Sequence, residues 1–200
     1  RDGCRNVMWN GLQRGASGQH DARALGFIDA VASHDDMNLI TENYDYSAWA
    51  DSIATAAATY IELDGVGCTA MSEAIYNIVE TEGLVGTVRL AGIDVSEGTG
   101  RAFENGSLSY MAAGNYATEM ISFAVLYNYI LDGTRVIADP AVNLAMNNIN
   151  LNSLEDYNNY IKYLDSGVPV YTAQEILEMT HYCDENFDAG AMTKLCQAYS

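Results

Sequence analysis

The sequence predicts an α/β fold in three αβα layers, a parallel sheet with helices on both faces, and three observations carry that prediction. Short β-rich runs alternate with amphipathic stretches along the first half of the chain. The 200 residues are 49% hydrophobic and 10% aromatic, enough to bury a sizeable core. No internal repeat or low-complexity linker interrupts the alternation.

Residues 6–10, 38–41, 66–69 and 88–93 read as strands, each a short apolar or β-branched run. The stretch 19–32 sets Ala22, Leu25, Phe27, Ile28, Ala30 and Val31 on one side of a helix, 49–61 is Ala-rich, and 71–79 repeats the pattern. A fifth strand at 108–112 leads through Gly114 into 116–131, a helix whose apolar residues cover more than one stripe and so need burial on most sides. The remainder holds a short run at 142–146, an Asn-rich turn at 147–152, and helices at 154–164, 173–182 and 191–199. The tail from Tyr171 onward has apolar helical spacing at Ile176, Leu177 and Met179 and reads as packing.

With 27 acidic against 9 basic side chains the formal net charge is −18. Such a surface repels nucleic-acid phosphate at every approach, which excludes nucleic acid as a partner. The longest apolar stretch, 120–131, is interrupted by Ser122, Tyr127 and Asn128 and falls short of the roughly 18 residues a membrane span needs. Residues 1–4 lack the regions of a signal peptide, so either the protein is cytoplasmic or its beginning was removed. Cys4, Cys68, Cys183 and Cys196 form no CxxC pair and have no His at ligand spacing, so no metal is expected. Cys183 and Cys196 either pair across a short loop in an oxidising compartment or remain buried thiols.

In parallel sheets ligands sit beyond the carboxyl ends of the strands, so the turns after each strand are where chemistry is expected. Little there supports catalysis. No GxSxG, HExxH or P-loop Lys is present, and the Gly-rich segment 11–18 lacks the spacing of a nucleotide loop and reads as a turn. No cofactor is expected. The three His are far apart in sequence; His20, near a helix start, either bonds a ligand or faces water.

Three segments resemble a known family in order and spacing: Gly92-Ile93-Asp94-Val95-Ser96-Glu97-Gly98, then Glu104-Asn105-Gly106-Ser107-Leu108, then a long helix closed by Ile130-Leu131-Asp132-Gly133. They are similar to the second half of type I periplasmic sugar-binding proteins, where a strand ending in Gly-x-Asp precedes a helix, a G-x-L strand and a helix closed by Asp-Gly. Upstream, Arg23-Ala24-Leu25-Gly26-Phe27 is similar to the family's Arg-x-x-Gly-Phe segment. Asn43-Tyr44-Asp45-Tyr46-Ser47-Ala48-Trp49-Ala50 resembles the segment that carries a sugar-stacking Trp in the galactose/glucose branch, and 149–157 resembles a late Asn-and-Tyr stretch. The likeness covers roughly residues 5 to 160.

The resemblance implies the C-terminal lobe of a two-lobed fold with the N-terminal lobe largely missing: residues 1–113 the sugar-binding lobe, 114–134 a helix returning toward the first lobe, and 135–200 a final crossing segment with a helical extension. It implies a bacterial, non-catalytic binding component of a sugar ABC uptake system, periplasmic or extracellular, with an export signal or lipid anchor upstream and a membrane permease as partner. A sugar offers hydroxyls that donate and accept, plus apolar ring faces, so its site needs a carboxylate, an Arg fork and an aromatic plane. The residues implied are Arg23, Trp49 and Asp94, with Thr69 and Asn115 substituting where the family carries Asn or Asp. Each has a plainer reading: Arg23 on a solvated helix face, Trp49 in the core, Asp94 or Ser96 as an N-cap for the next helix. Two other functions share the fold class, the effector-binding core of a sugar-responsive transcription regulator and a small α/β enzyme using Cys68 and Asp94. The acidic surface and the lack of a Leu-Thr-Thr segment after the Asp strand oppose the regulator. Without its first lobe, helix 116–131 would expose Met120, Ile121, Phe123, Leu126, Ile130 and Leu131 and drive self-association.

Overall fold

The computed structural model describes residues 3–116, 118–139, 141, 144–165 and 167–198, with backbone alone at 132, 165 and 196–198. The chain forms two compact units, the first Arg1–Ala113 with Asn150–Asn158 and the second Gly114–Ile149 with Asn159–Ser200.

Unit 1 is built on a six-stranded sheet. β1 (Asn6–Asn10) buries four consecutive residues, Val7 to Asn10, because it is an inner strand with a layer on each face. β2 (Asn38–Asn43) lies at one edge and leaves Asn38 and Glu42 exposed. β3 (Gly65–Cys68) is wholly buried, and β4 (Arg89–Ile93) and β5 (Leu108–Ala113) follow it. The order is β2-β1-β3-β4-β5, closed at the far edge by β6 (Ile149–Leu151), and the first five strands pair in parallel.

Four helices make the crossovers: α1 (Gly18–Ala32), α2 (Trp49–Thr59), α3 (Glu73–Thr81) and α4 (Thr99–Glu104). The first step along the sheet, β1 to β2, runs opposite to all later ones, so right-handed crossovers put α1 on one face and the other three on the opposite face. In keeping with this, α2 packs on α3 and α3 on α4. On the α1 face Phe27 lies over β3 so closely that a Cβ at Gly67 would fall 2.3 Å from the ring, and the same ring meets Trp9 at 5.0 Å. Only glycine there lets the helix settle onto the sheet.

The predicted three-layer α/β architecture is the observed one, with local corrections. The expected turn at 147–152 contains β6, whose Ile-Asn-Leu alternates half-buried, exposed and buried as an edge strand does. Tyr110 Oη anchors it by donating to Asn150 Oδ1 at 2.6 Å. α3 starts at Glu73, because Met71 is held as loop by its N–H on the Ile93 carbonyl at 2.7 Å. α4 is capped by Gly98 in the left-handed region, and neither Asp94 nor Ser96 caps it with a side chain. The apolar run expected at 142–146 falls partly outside the described residues, and 144–146 carry no regular structure.

Unit 2 has its own small core of Ile121, Ala124, Val136, Tyr171, Met179, Phe187 and Met192. α5 (Thr118–Asp132) supplies it with one stripe, Ile121, Ala124 and Asn128, while Phe123, Leu126, Ile130 and Leu131 stay 52–70% exposed. Of the six apolar side chains expected to lie exposed without a first lobe, these four do, whereas Ile121 is buried in this core and Met120 packs against it. α6 (Leu154–Asp165) runs from the last residues of unit 1 into unit 2, and α7 (Ala173–Glu178) and α8 (Ala189–Ala198) complete the tail. α7 opens on a Thr172–Glu175 capping box and stops four residues before its expected end. The buried Asn128 side chain donates to the Met179 carbonyl and accepts from His181 N–H, occupying groups a longer helix would have used. No helix among the described residues is long and apolar enough to cross a membrane.

Candidate functional site

At the carboxyl edge of the sheet the backbone of β1 fixes everything that follows. Asn10, its last residue, is fully buried and satisfied: its Nδ2 donates to the Trp49 carbonyl at 2.9 Å and its Oδ1 accepts from Asn43 Nδ2 at 2.8 Å. Its carbonyl takes the Thr69 N–H at 2.9 Å, locking the turn after β3 to the end of β1. One residue on, Gly11 passes between two indoles. A Cβ there would fall 2.4 Å from Trp9 Nε1, while its carbonyl accepts from Trp49 Nε1 at 3.0 Å.

Four side chains converge beyond this edge. Arg23, one turn into α1, donates from Nη1 to the Thr69 carbonyl at 2.8 Å, and the same nitrogen lies 3.8 Å from Asp94 Oδ2. The Arg23 and Asp94 side chains are 28% and 57% exposed, so this is a loose, solvent-screened pair. Thr69 Oγ1 lies 2.8 Å from His20 Nδ1, which adds the first turn of α1 to the group. Asp94 follows β4 directly and takes a φ of 69°, the only non-glycine residue in the left-handed region among those described. Its carboxylate accepts no hydrogen bond from the described residues. The edge thus presents a fixed guanidinium, an imidazole and a solvent-exposed carboxylate, with almost no net charge between Arg23 and Asp94.

Of the predicted residues, Arg23, Thr69 and Asp94 come together here. Thr69 does so as a buried brace: its N–H, carbonyl and hydroxyl are all engaged and it is 0% exposed, so it holds its neighbours in place. Trp49 opens α2 half-buried, with its N–H spent on Gly11 and its ring 4.8 Å from Tyr46. Asn115 belongs to unit 2, where its Nδ2 donates to the Asn147 carbonyl at 3.1 Å. Sequence reasoning undervalued His20, whose partner is 49 residues away, and passed over Asn10 and Asn43, whose only signal was an Asn at the last position of two neighbouring strands.

Cys68 is buried and its thiol is pushed up to about 12 by burial, so it stays protonated and is no nucleophile at neutral pH. Burial therefore weighs against Cys68 as the reactive partner of Asp94. Cys183 is exposed and forms no disulfide, which corrects the possible bridge; the Cys196 side chain lies outside the described residues. No group of three or more His, Cys, Asp or Glu is placed to hold a metal among the described residues. A cleft of about 510 Å³ in unit 1 is lined by Gly3–Arg5 ahead of β1, Asp36 and Met37 ahead of β2, and Arg89 at the start of β4. It therefore belongs to the amino side of the strands, away from the chemistry described above.

Solved structures with the same arrangement include a galactofuranose binding protein, 17% identical with a TM-score of 0.63 over 82% of this chain and 57% of that one. The fold is that of a type I periplasmic-binding-protein lobe. An ABC transporter solute-binding protein from Agrobacterium vitis, solved with α-D-tagatopyranose, aligns over 56% of this chain and 39% of its own at a TM-score of 0.51 and 19% identity. A protein from Mycobacterium smegmatis aligns over 81% and 55% at 0.56 and 12% identity. The chain thus spans between 39% and 57% of the length of these structures. No protein-family model matches the sequence, and no curated protein does.

Proposed function

We propose that this chain is a lobe, C-terminal in type, of a non-catalytic binding protein that captures a monosaccharide for an ABC uptake system. The observation that carries the reading is the Arg23–Asp94 pair held by Thr69 at the carboxyl edge of a type I lobe. A fork of donors stands 3.8 Å from an acceptor-only carboxylate, and a sugar hydroxyl, which accepts and donates at once, can bridge the two. Trp49 supplies the aromatic plane for the ring. The sugar is closed between this lobe and another, hinged to it, and the loaded form docks on a membrane permease. The working compartment is periplasmic or extracellular, with a lipid anchor as one means of retention.

Intrinsic fluorescence of Trp9 and Trp49, followed while hexoses and pentoses are titrated to high millimolar concentration, tests this directly. A saturable change that loses its indole component in Trp49→Phe is expected. A flat response to every sugar, at concentrations where a single lobe should bind weakly, sinks the reading and leaves only the fold.

A further inference from the structure

We infer that His20, not Thr69, is the side chain at the end of β3 that meets the ligand, and that it does so as a hydrogen-bond donor through Nε2. This rests on the sugar-binding reading of the same site and names the residue that sets its specificity.

Three observations carry it. First, Thr69 is 0% exposed and every polar group it owns is engaged: N–H on Asn10, carbonyl under Arg23, hydroxyl on His20. Nothing is left to offer a ligand. Second, His20 uses only Nδ1, 2.8 Å from Thr69 Oγ1, and is half-exposed in the first turn of α1, one turn before Arg23. Nε2 has no partner among the described residues, so the ring is steered from one side and open on the other. Third, the hydroxyl has one acceptor within reach. Thr69 Oγ1 is buried and has no other hydrogen-bond partner among the described residues, so its proton is donated to Nδ1, which places the ring proton on Nε2. The tautomer is assigned from the network in this way.

Arg23 and His20 then present donors at positions 23 and 20 of one helix, three residues apart and so on one face, with the exposed Asp94 carboxylate 3.8 Å from Arg23. Two donors and one acceptor suit a neutral polyhydroxylated ring with a hydroxyl bridging Arg23 and Asp94 and an oxygen acceptor facing His20. Thr69 becomes a positioning residue, tying both donors to the end of β3.

Nitrogen-detected NMR of the chain, with D-tagatose, D-galactose, D-glucose and D-ribose added singly, decides it. The His20 ring is expected to show the Nε2–H tautomer without sugar. Any sugar that shifts the Arg23 guanidinium signals should shift His20 Nε2 as well, and His20→Ala should weaken that sugar's binding by about tenfold or more, the loss of one hydrogen bond to a buried polar partner. Thr69→Val, which keeps the carbonyl under Arg23, should weaken binding by a smaller factor and mix the two tautomers. A sugar that moves Arg23 but leaves His20 unmoved, with His20→Ala within about twofold of wild type, overturns the assignment while sparing the sugar-binding reading. Should no sugar move either signal, both fail together, and the Arg23 signals tell the two failures apart.

Discussion

Asp94 pays for its place at the sheet edge in backbone strain. An L-residue at φ 69° is disfavoured by about 1 kcal/mol, least for Asp and Asn, and such residues persist where the site needs them. Asp94→Gly is therefore expected to leave stability unchanged or raise it by up to about 1 kcal/mol while abolishing the response to sugar. Asp94→Asn keeps the left-handed turn but removes the charge facing Arg23. Stability should move by less than about 0.5 kcal/mol, since the pair is solvent-exposed, while affinity falls about tenfold or more. Urea unfolding and sugar titration of the two variants separate the roles, and a large loss of stability in the glycine variant would contradict a strained functional turn. This position was readable in part from sequence. An Asp just after an apolar strand is visible in the order of residues, whereas its left-handed φ and its position 3.8 Å from Arg23 are set by the folded chain.

At the level of elements, α1 is seated on the sheet through Phe27, and its site residues inherit their position from that seat. Gly67→Ala would drive a Cβ to 2.3 Å from the Phe27 ring and force α1 outward. Overpacking of this kind costs about 1–3 kcal/mol, and here the displaced helix carries His20 and Arg23. A lower urea midpoint together with weakened sugar binding is expected; loss of stability with intact binding would show that the helix and the site are uncoupled. α5 presents the opposite case, an element whose packing leaves a face open. Phe123, Leu126, Tyr129, Ile130 and Leu131 are all at least half exposed on one helix, a contiguous apolar surface of the sort that drives association. Light scattering at rising concentration is expected to show self-association that Leu126→Lys with Ile130→Lys suppresses. A concentration-independent monomer would count against it. The helix itself was evident from sequence, but which stripe it buries was not, because the choice of Ile121, Ala124 and Asn128 is made by partners at 171–192.

For the whole molecule, the buried ionisable groups set a pH limit. Burial pushes Cys68 from 9.0 to about 12 and Tyr76, bonded to Thr99 Oγ1, from 10.0 to about 12. In both the folded state favours the neutral form, so above pH 9 the unfolded chain releases protons that the folded chain retains. Stability from these groups is complete below pH 9, declines as pH rises, and is gone above 12. Thermal unfolding should therefore show a falling midpoint between pH 9 and 12, shallower in Cys68→Ser, and a midpoint independent of pH in that range would refute it. The alternation of β-rich and helical segments, and hence the α/β class, needed only the sequence, because periodicity of 2 and 3.6 is a local property of residue order. β6 escaped because three residues among asparagines give too short a period to read.

The sequence by itself determined the five parallel strands, the helices between them and the edge that carries the candidate site, since apolar spacing and turn residues act over a few neighbours. It also supplied the arginine and the aspartate of the candidate site. Only the tertiary structure decided how those residues are used. Thr69 braces His20 because two positions 49 residues apart meet at 2.8 Å, and the Cys68 thiol stays protonated because it is buried at the end of β3. Contacts between distant residues fix burial and hydrogen-bond partners, and no local pattern encodes them.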